Sequence, residues 1–276
     1  MIPQKIDCGA MKREARELLR TAQVSPRAMT ALYLFLLLAL DMVSVFSSGE
    51  SILSTFVSIL TSLMGMVLGA GFLLYCMAVR RGERSEYLTL FDGFSFVGKL
   101  IGVELLVSLF VGLWSMLFVI PGIIAVYRYR FAILNLCDDP DTGILEALAM
   151  SQRQTRGFKM QLFRMDLSYL GWFVLAFLPS LAEDFLMYRA AFGAAAAYLQ
   201  NPSGGLPALD LSAAAVLPGW AWTLLSGLWL LVVALFFLAE YRCTEMGYFE
   251  RAKVVSGVGA GMGGPSLRPS DGPDNL

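Results

Sequence analysis

Six apolar runs, five of them close to the length needed to cross a bilayer and the fourth shorter at 15 residues, constrain this chain more than anything else in it. They are Met29–Phe46, a run within Ile52–Val79, Leu100–Ile120, Ile123–Cys137, Met160–Leu178 and Trp220–Ala239. A hydrocarbon core about 30 Å thick takes roughly 20 helical residues, and helices bond their own backbone groups where no water is present. The chain is 57% hydrophobic and only 16% charged, on the apolar side of ordinary soluble domains. The expected fold is therefore all-α, a polytopic membrane helical bundle of about six transmembrane helices. Its expected parts are an amphipathic amino-terminal segment (1–27), a six-span membrane domain (28–251) and a disordered tail (252–276).

Charge sets the expected orientation. With the amino terminus inside and six spans, 20 of the 21 Lys and Arg residues fall on or toward the cytoplasmic side, leaving only Arg189 outside. That bias predicts cytoplasmic amino and carboxy termini. Between Asp7 and Ala22, Met11, Ala15, Leu18, Leu19 and Ala22 share one helical face while Lys12, Arg13, Arg16 and Arg20 occupy the others. Two readings of this helix stand: it lies on an anionic membrane surface, or it is a solvated cytoplasmic helix packed on neighbouring loops. The span after it has no small-residue cleavage pattern behind it and reads as a retained anchor.

Turn chemistry and small residues give local expectations. Ser54, Ser58 and Ser62 recur every four residues and Gly65 and Gly69 form a G-x-x-x-G, so this side of span two is nearly flat and can admit a neighbouring helix, within the molecule or in a dimer. The segment LTLFDGFSF reads as part of a polar, partly interfacial loop. Pro121-Gly122 predicts the turn of a tight hairpin between spans three and four. Asp139-Pro140 predicts the cap and first turn of a polar helix reaching Arg156 and ended by Gly157. The Ala-rich stretch from Ala182 to Gln200 reads as a helix on or partly in the outer leaflet, followed by a turn-rich loop. Whether 183–217 is interfacial or inserted stays open.

Much chemistry is excluded. Histidine is absent, which removes the commonest general base, the usual zinc ligand and every His-containing triad. The four cysteines, Cys8, Cys76, Cys137 and Cys243, form no C-x-x-C pair and read as reduced thiols. Gly259, Gly261 and Gly264 make a literal G-x-G-x-x-G, but Pro265 follows where a helix would be needed. No cofactor, metal site, catalytic residue or nucleic-acid partner is expected. The one anomaly is a set of ionisable residues within spans three to five: Glu104, Arg128, Arg130, Arg164 and Asp166. Charge in hydrocarbon costs several kcal/mol unless paired or hydrated. Glu104, Arg128, Arg130 and Asp166 form the candidate intramembrane polar cluster, which either lines a cavity for an ion, solute or lipid headgroup or satisfies itself by pairing and snorkelling. Arg130 lies seven residues, about 10 Å, from Cys137 and Asp166 six residues, about 9 Å, from Met160, so a level-matched ion pair between spans four and five is expected, with Glu104, about 6 Å deep in span three, as the competing partner.

The stretches LWSMLFVIPGIIAVYRYRFAILNLCDDPD and ILEALAMSQRQTRGFKMQLFRMDLSYLGW resemble the bacterial integral-membrane family known as domain of unknown function 975. AREL near the start, LFDGF, and YRCTEMGYF are similar to further parts of its pattern. Glu240 departs from it, standing where the family often has proline, and the connection between spans five and six is longer than in many members. The resemblance implies a multi-pass protein of the bacterial plasma membrane and supplies no catalytic residues. A more distant likeness to membrane domains attached to glycerophosphodiester phosphodiesterases suggests a lipid or envelope role. The resulting expectation is a non-enzymatic factor of cell-envelope organisation or regulation, with the bilayer, a lipid headgroup or a protein as partner and an unspecified oligomeric state. The alternative is a small-solute or ion transporter or channel.

Overall fold

A computed structural model describes residues 7–47, 49, 51–200 and 218–259. Ten α-helices follow in order among them: α1 Cys8–Thr21, α2 Pro26–Phe46, α3 Ile52–Arg81, α4 Val97–Leu117, α5 Val119–Tyr129, α6 Ala132–Asp138, α7 Ile144–Gln154, α8 Lys159–Ala176, α9 Leu178–Gln200 and α10 Gly219–Ser256. A 3-10 helix, Tyr87–Phe96, precedes α4. Among the described residues five segments are long and apolar enough to cross a membrane: α2, α3, the 3-10 helix with α4, α5 with α6, and α10. A sixth is counted if α8 and the first part of α9, bent 64° at Phe177, form one span.

Local chemistry explains most boundaries. The Asp7 carboxylate accepts the Gly9 amide at 2.9 Å and starts α1. Pro26, whose missing N–H is no loss in a first turn, starts α2. Ser51 and Ser54 cap α3 reciprocally, and Gly82 ends it at φ 69°, a left-handed conformation that glycine adopts without a Cβ penalty.

Several sequence expectations shift. Spans three and four do form a hairpin, but the chain reverses at Phe118, whose extended backbone separates α4 from α5. Pro121 and Gly122 sit inside the first turn of α5, where proline forfeits no intrahelical bond. Gly122 serves the crossing instead, since a Cβ there would lie 2.2 Å from the Ser115 hydroxyl. LTLFDGFSF is not a polar loop but the body of the 3-10 helix, with Leu90 fully buried. It packs on α3 backbone to backbone: a Cβ at Gly71 would meet the Leu90 carbonyl at 2.0 Å, and one at Gly93 the Val67 carbonyl at 2.7 Å. Gly65 and Gly69 face α2 with room to spare, since a Cβ added there would lie 3.6 Å from Leu37 and 3.9 Å from the Tyr33 hydroxyl, so the tight approach on α3 belongs to Gly71.

Asp139 does not cap α7. Its carboxylate accepts from the Asp141 amide at 3.0 Å and the Thr142 hydroxyl at 3.2 Å, closing a turn that delays the helix to Ile144. Beyond the apolar end of span six, α10 continues to Ser256, five residues into the segment expected to be tail. The rest of that tail, from 260, and most of the loop expected between spans five and six, 201–217, lie outside the described residues.

Span four is not one helix. It breaks at Arg130-Phe131, although neither proline nor glycine is present there. The cause is a side chain inserted into the backbone ladder: the Ser151 hydroxyl of α7 donates to the Arg128 carbonyl at 2.9 Å and accepts the Phe131 amide at 3.1 Å. Non-helical backbone at such a place is tolerated because protein groups satisfy it.

Ion pairs of Arg80, Arg81 and Lys253 with Glu14, Glu250 and Asp138 gather much of the basic charge at one end of the bundle, and the densest core lies there. On α3, Ile52 is 92% exposed while Phe72, Tyr75 and Cys76 are buried; on α10, Leu228 and Phe236 are exposed while Cys243 to Phe249 are buried. The apolar faces left open at the other end suit lipid contact.

Candidate functional site

Arg130 follows the last turn of α5 at the helix break, and its guanidinium is held from three sides. Nη1 and Nη2 donate to the two Asp166 oxygens of α8 at 2.5 and 3.0 Å, Nε donates to Glu245 of α10 at 2.6 Å, and Nη2 also donates to the Tyr241 hydroxyl at 2.6 Å. Asp166 accepts further bonds from Tyr127 at 2.7 Å and Tyr241 at 3.1 Å. The second Glu245 oxygen takes Arg242 at 2.8 Å. Two arginines and two carboxylates make the group neutral, which is how charge survives burial. Planar guanidinium geometry suits the fork on Asp166.

Of the sequence candidates, the structure thus brings Arg130 and Asp166 into contact, keeps Glu104 on the wall of a cavity beside them, and turns Arg128 and Arg164 away. Arg128 leaves toward Gln152 of α7, 2.5 Å away. Arg164 is exposed. Glu104, half-buried on α4, has no ion pair among the described residues and lines two cavities. The residues that sequence reasoning passed over are Tyr241, Arg242 and Glu245, because the apolar run ends at Ala239. Their signal was helical spacing, since Tyr241, Glu245, Tyr248 and Ala252 recur every three or four residues and all are buried.

Around this network the basic end is laced by further pairs. Asp138 receives both Arg81 and Lys253. Arg80, 6% exposed, bonds Glu14 at 2.8 Å and Glu250 at 2.5 Å, tying α1 to α3 and α10. Arg16 donates to Glu240 at 2.8 Å, and this bond raises the arginine above its ordinary pKa. Asn135 and Gln154, both buried, exchange amide hydrogen bonds at 2.9 and 2.7 Å and fasten α6 to α7.

Two cavities adjoin the network. The larger, about 540 Å³, runs between α2, α3, α4, α8 and α10. Its α10 wall extends from Leu230 to Arg242, about 18 Å along the helix. Leucine, phenylalanine, alanine and methionine side chains form most of its walls, and Tyr33, Glu104 and Arg242 mark its basic end. The second, about 400 Å³, is lined by Arg130, Tyr241 and Glu245 and shares Glu104, Ile133 and Arg242 with the first. Val107, Val111 and Val126 also line the second, so both are largely apolar and the charged side chains gather where they meet, at Glu104 and Arg242. Among the described residues no cluster of three or more acidic or thiol side chains could hold a metal.

Residues 116–254 match the model of a family described as protein of unknown function (DUF975). No curated protein and no solved structure matches the chain. The matched stretch begins at the end of α4, so AREL and LFDGF lie outside it, while Arg130, Asp166, Tyr241, Arg242 and Glu245 all lie inside. With just over half of its 276 residues matched, the chain belongs to the DUF975 family.

Proposed function

We propose that this protein is a non-enzymatic lipid-binding component of a bacterial plasma membrane, acting in envelope organisation or regulation, with both termini in the cytoplasm. The observation that carries the reading is the two-chamber cavity: a chamber about 18 Å long with largely apolar walls suits an acyl chain, and the adjoining Glu104 and Arg242 suit a polar head. A single-chain or two-chain amphiphile satisfies both surfaces at once, whereas a small ion satisfies neither the volume nor the apolar wall. The charge distribution supports the orientation.

The test is to extract the protein in a mild detergent and identify bound lipid by mass spectrometry. A lipid in near one-to-one amount is expected, reduced severalfold by Ala234→Phe or Ala176→Phe, which fill the chamber wall. Absence of such a lipid, or its retention in both folded variants, contradicts the proposal.

A transporter is the second reading, and one observation favours it: the broken α5–α6 span places Arg130 at a helix interruption on the wall of the second cavity, as discontinuous helices do in transporters. Solute flux into liposomes that Arg130→Gln abolishes would select it.

A further inference from the structure

A second site lies where α1 hands over to α2, sharing only Phe237 with the walls of the two-chamber cavity. A groove of about 380 Å³ runs between the last turns of α1, the Ser25-Pro26 link and the stretch of α10 from Leu235 to Glu240. Three arginines border it, Arg16, Arg20 and Arg27, against one carboxylate, Glu240. Glu240 is already engaged by Arg16 at 2.8 Å and by the Tyr169 hydroxyl at 3.0 Å. Arg20 and Arg27 are exposed and have no ion pair among the described residues, so the groove holds two positive charges without a counter-charge.

Beside these charges lies apolar surface. Phe236 is 60% exposed, and the Arg27 guanidinium sits 6.0 Å from its ring centre. Toward the bundle's middle α10 continues as apolar residues, and on the other side α1 carries Lys12, Arg13 and Arg16. The groove thus straddles the level at which hydrocarbon gives way to water. A phospholipid headgroup occupies that level, with its phosphate in the water-facing half and its chains against residues such as Phe236. Basic pockets at this depth between helices take anionic headgroups.

We infer that this groove binds the headgroup of an anionic phospholipid, with Arg20 and Arg27 contacting the phosphate and Phe236 packing against the first methylenes. Such a lipid would fasten α1, held by Arg16–Glu240 and Glu14–Arg80, to the bilayer surface as well as to the bundle. The site contains neither Arg242 nor Glu104, and the arginines it rests on, Arg20 and Arg27, line neither chamber, so it is tested independently of the cavity's occupant.

The experiment uses the full chain, delipidated in detergent micelles and titrated with phosphatidylglycerol or phosphatidylcholine of identical acyl chains, with bound lipids counted by native mass spectrometry. The first phosphatidylglycerol should bind about tenfold more tightly than the first phosphatidylcholine. Arg20→Gln with Arg27→Gln should erase that preference while leaving the thermal midpoint and the chamber lipid unchanged. Arg20→Lys with Arg27→Lys should keep most of it. Arg13→Gln, on the exposed side of α1 and outside the groove, should keep all of it. Equal binding of the two lipids by the unaltered protein, or an undiminished preference in the glutamine pair, would overturn the assignment. So would loss of the preference on adding inorganic phosphate at constant ionic strength, which would give the groove to a free anion.

Discussion

The two halves of α3 and α10 have similar secondary structure and opposite surroundings. Toward the far end, Ile52, Phe56 and Leu60 of α3 and Leu225, Leu228 and Val232 of α10 stand largely open, whereas toward the basic end Phe72, Tyr75, Cys76, Cys243, Tyr248 and Phe249 are almost fully enclosed. Lipid is as apolar as leucine, so the open half gains little from helix–helix contact, and what gives the bundle a defined arrangement must lie where polar groups and close backbone approaches occur. Those are concentrated at the basic end: the Arg130 network, the Asp138 and Arg80 pairs, the Asn135–Gln154 exchange and the Gly71–Leu90 crossing. Stability should therefore be distributed very unequally along the same helices.

The largest effect is expected from Glu245→Ala. It strips two arginines of a carboxylate that is 4% exposed, and uncompensated buried charge costs about 3–5 kcal/mol. Thermal unfolding in detergent should show it as a large fall in midpoint, and a midpoint near that of the unaltered protein would break the contrast between the halves. Gly71→Ala should come next. The added carbon would fall 2.0 Å from the Leu90 carbonyl, which is backbone and cannot swing aside, so a loss of about 1–3 kcal/mol is expected. Gly65→Ala, with its nearest neighbour at 3.6 Å on a leucine side chain, should be tolerated, and equal losses at the two glycines would remove the crossing's special role. The smallest effect belongs to the far end, where Phe56→Ala should change stability by no more than about 0.5 kcal/mol. A loss there as large as at Gly71 would mean that a second protein surface covers that face.

What was legible in the sequence follows the same division. Apolar runs reveal spans because hydrocarbon selects them one residue at a time, and counting inward from span ends was enough to set Arg130 level with Asp166. Glu245 and Arg242 escaped because hydropathy falls at Glu240 while the helix does not stop; neighbouring helices, α1, α3 and α7 among them, bury its last turns. The break after Tyr129 was illegible for a related reason: it is imposed by Ser151, twenty residues downstream of Phe131, and leaves no local mark. Pro121-Gly122 misled because proline is as acceptable in a first helical turn as in a reversal. Among adjacent glycines at 65, 69 and 71, spacing identified the G-x-x-x-G pair, but only the position of the 3-10 helix decides which one lacks room for a Cβ.

The central claim is that Arg130 couples α8 and α10 through the polar network at the basic end. A double-mutant cycle of Arg130→Ala and Asp166→Ala, read as unfolding free energy in detergent, tests it most directly. Each single change should destabilise the protein strongly, and the pair together should cost less than the sum of the two by about 1–3 kcal/mol, because removing both leaves fewer unmatched charges. Losses that add within about 0.5 kcal/mol would show that the two residues do not act on one another, and would contradict the account.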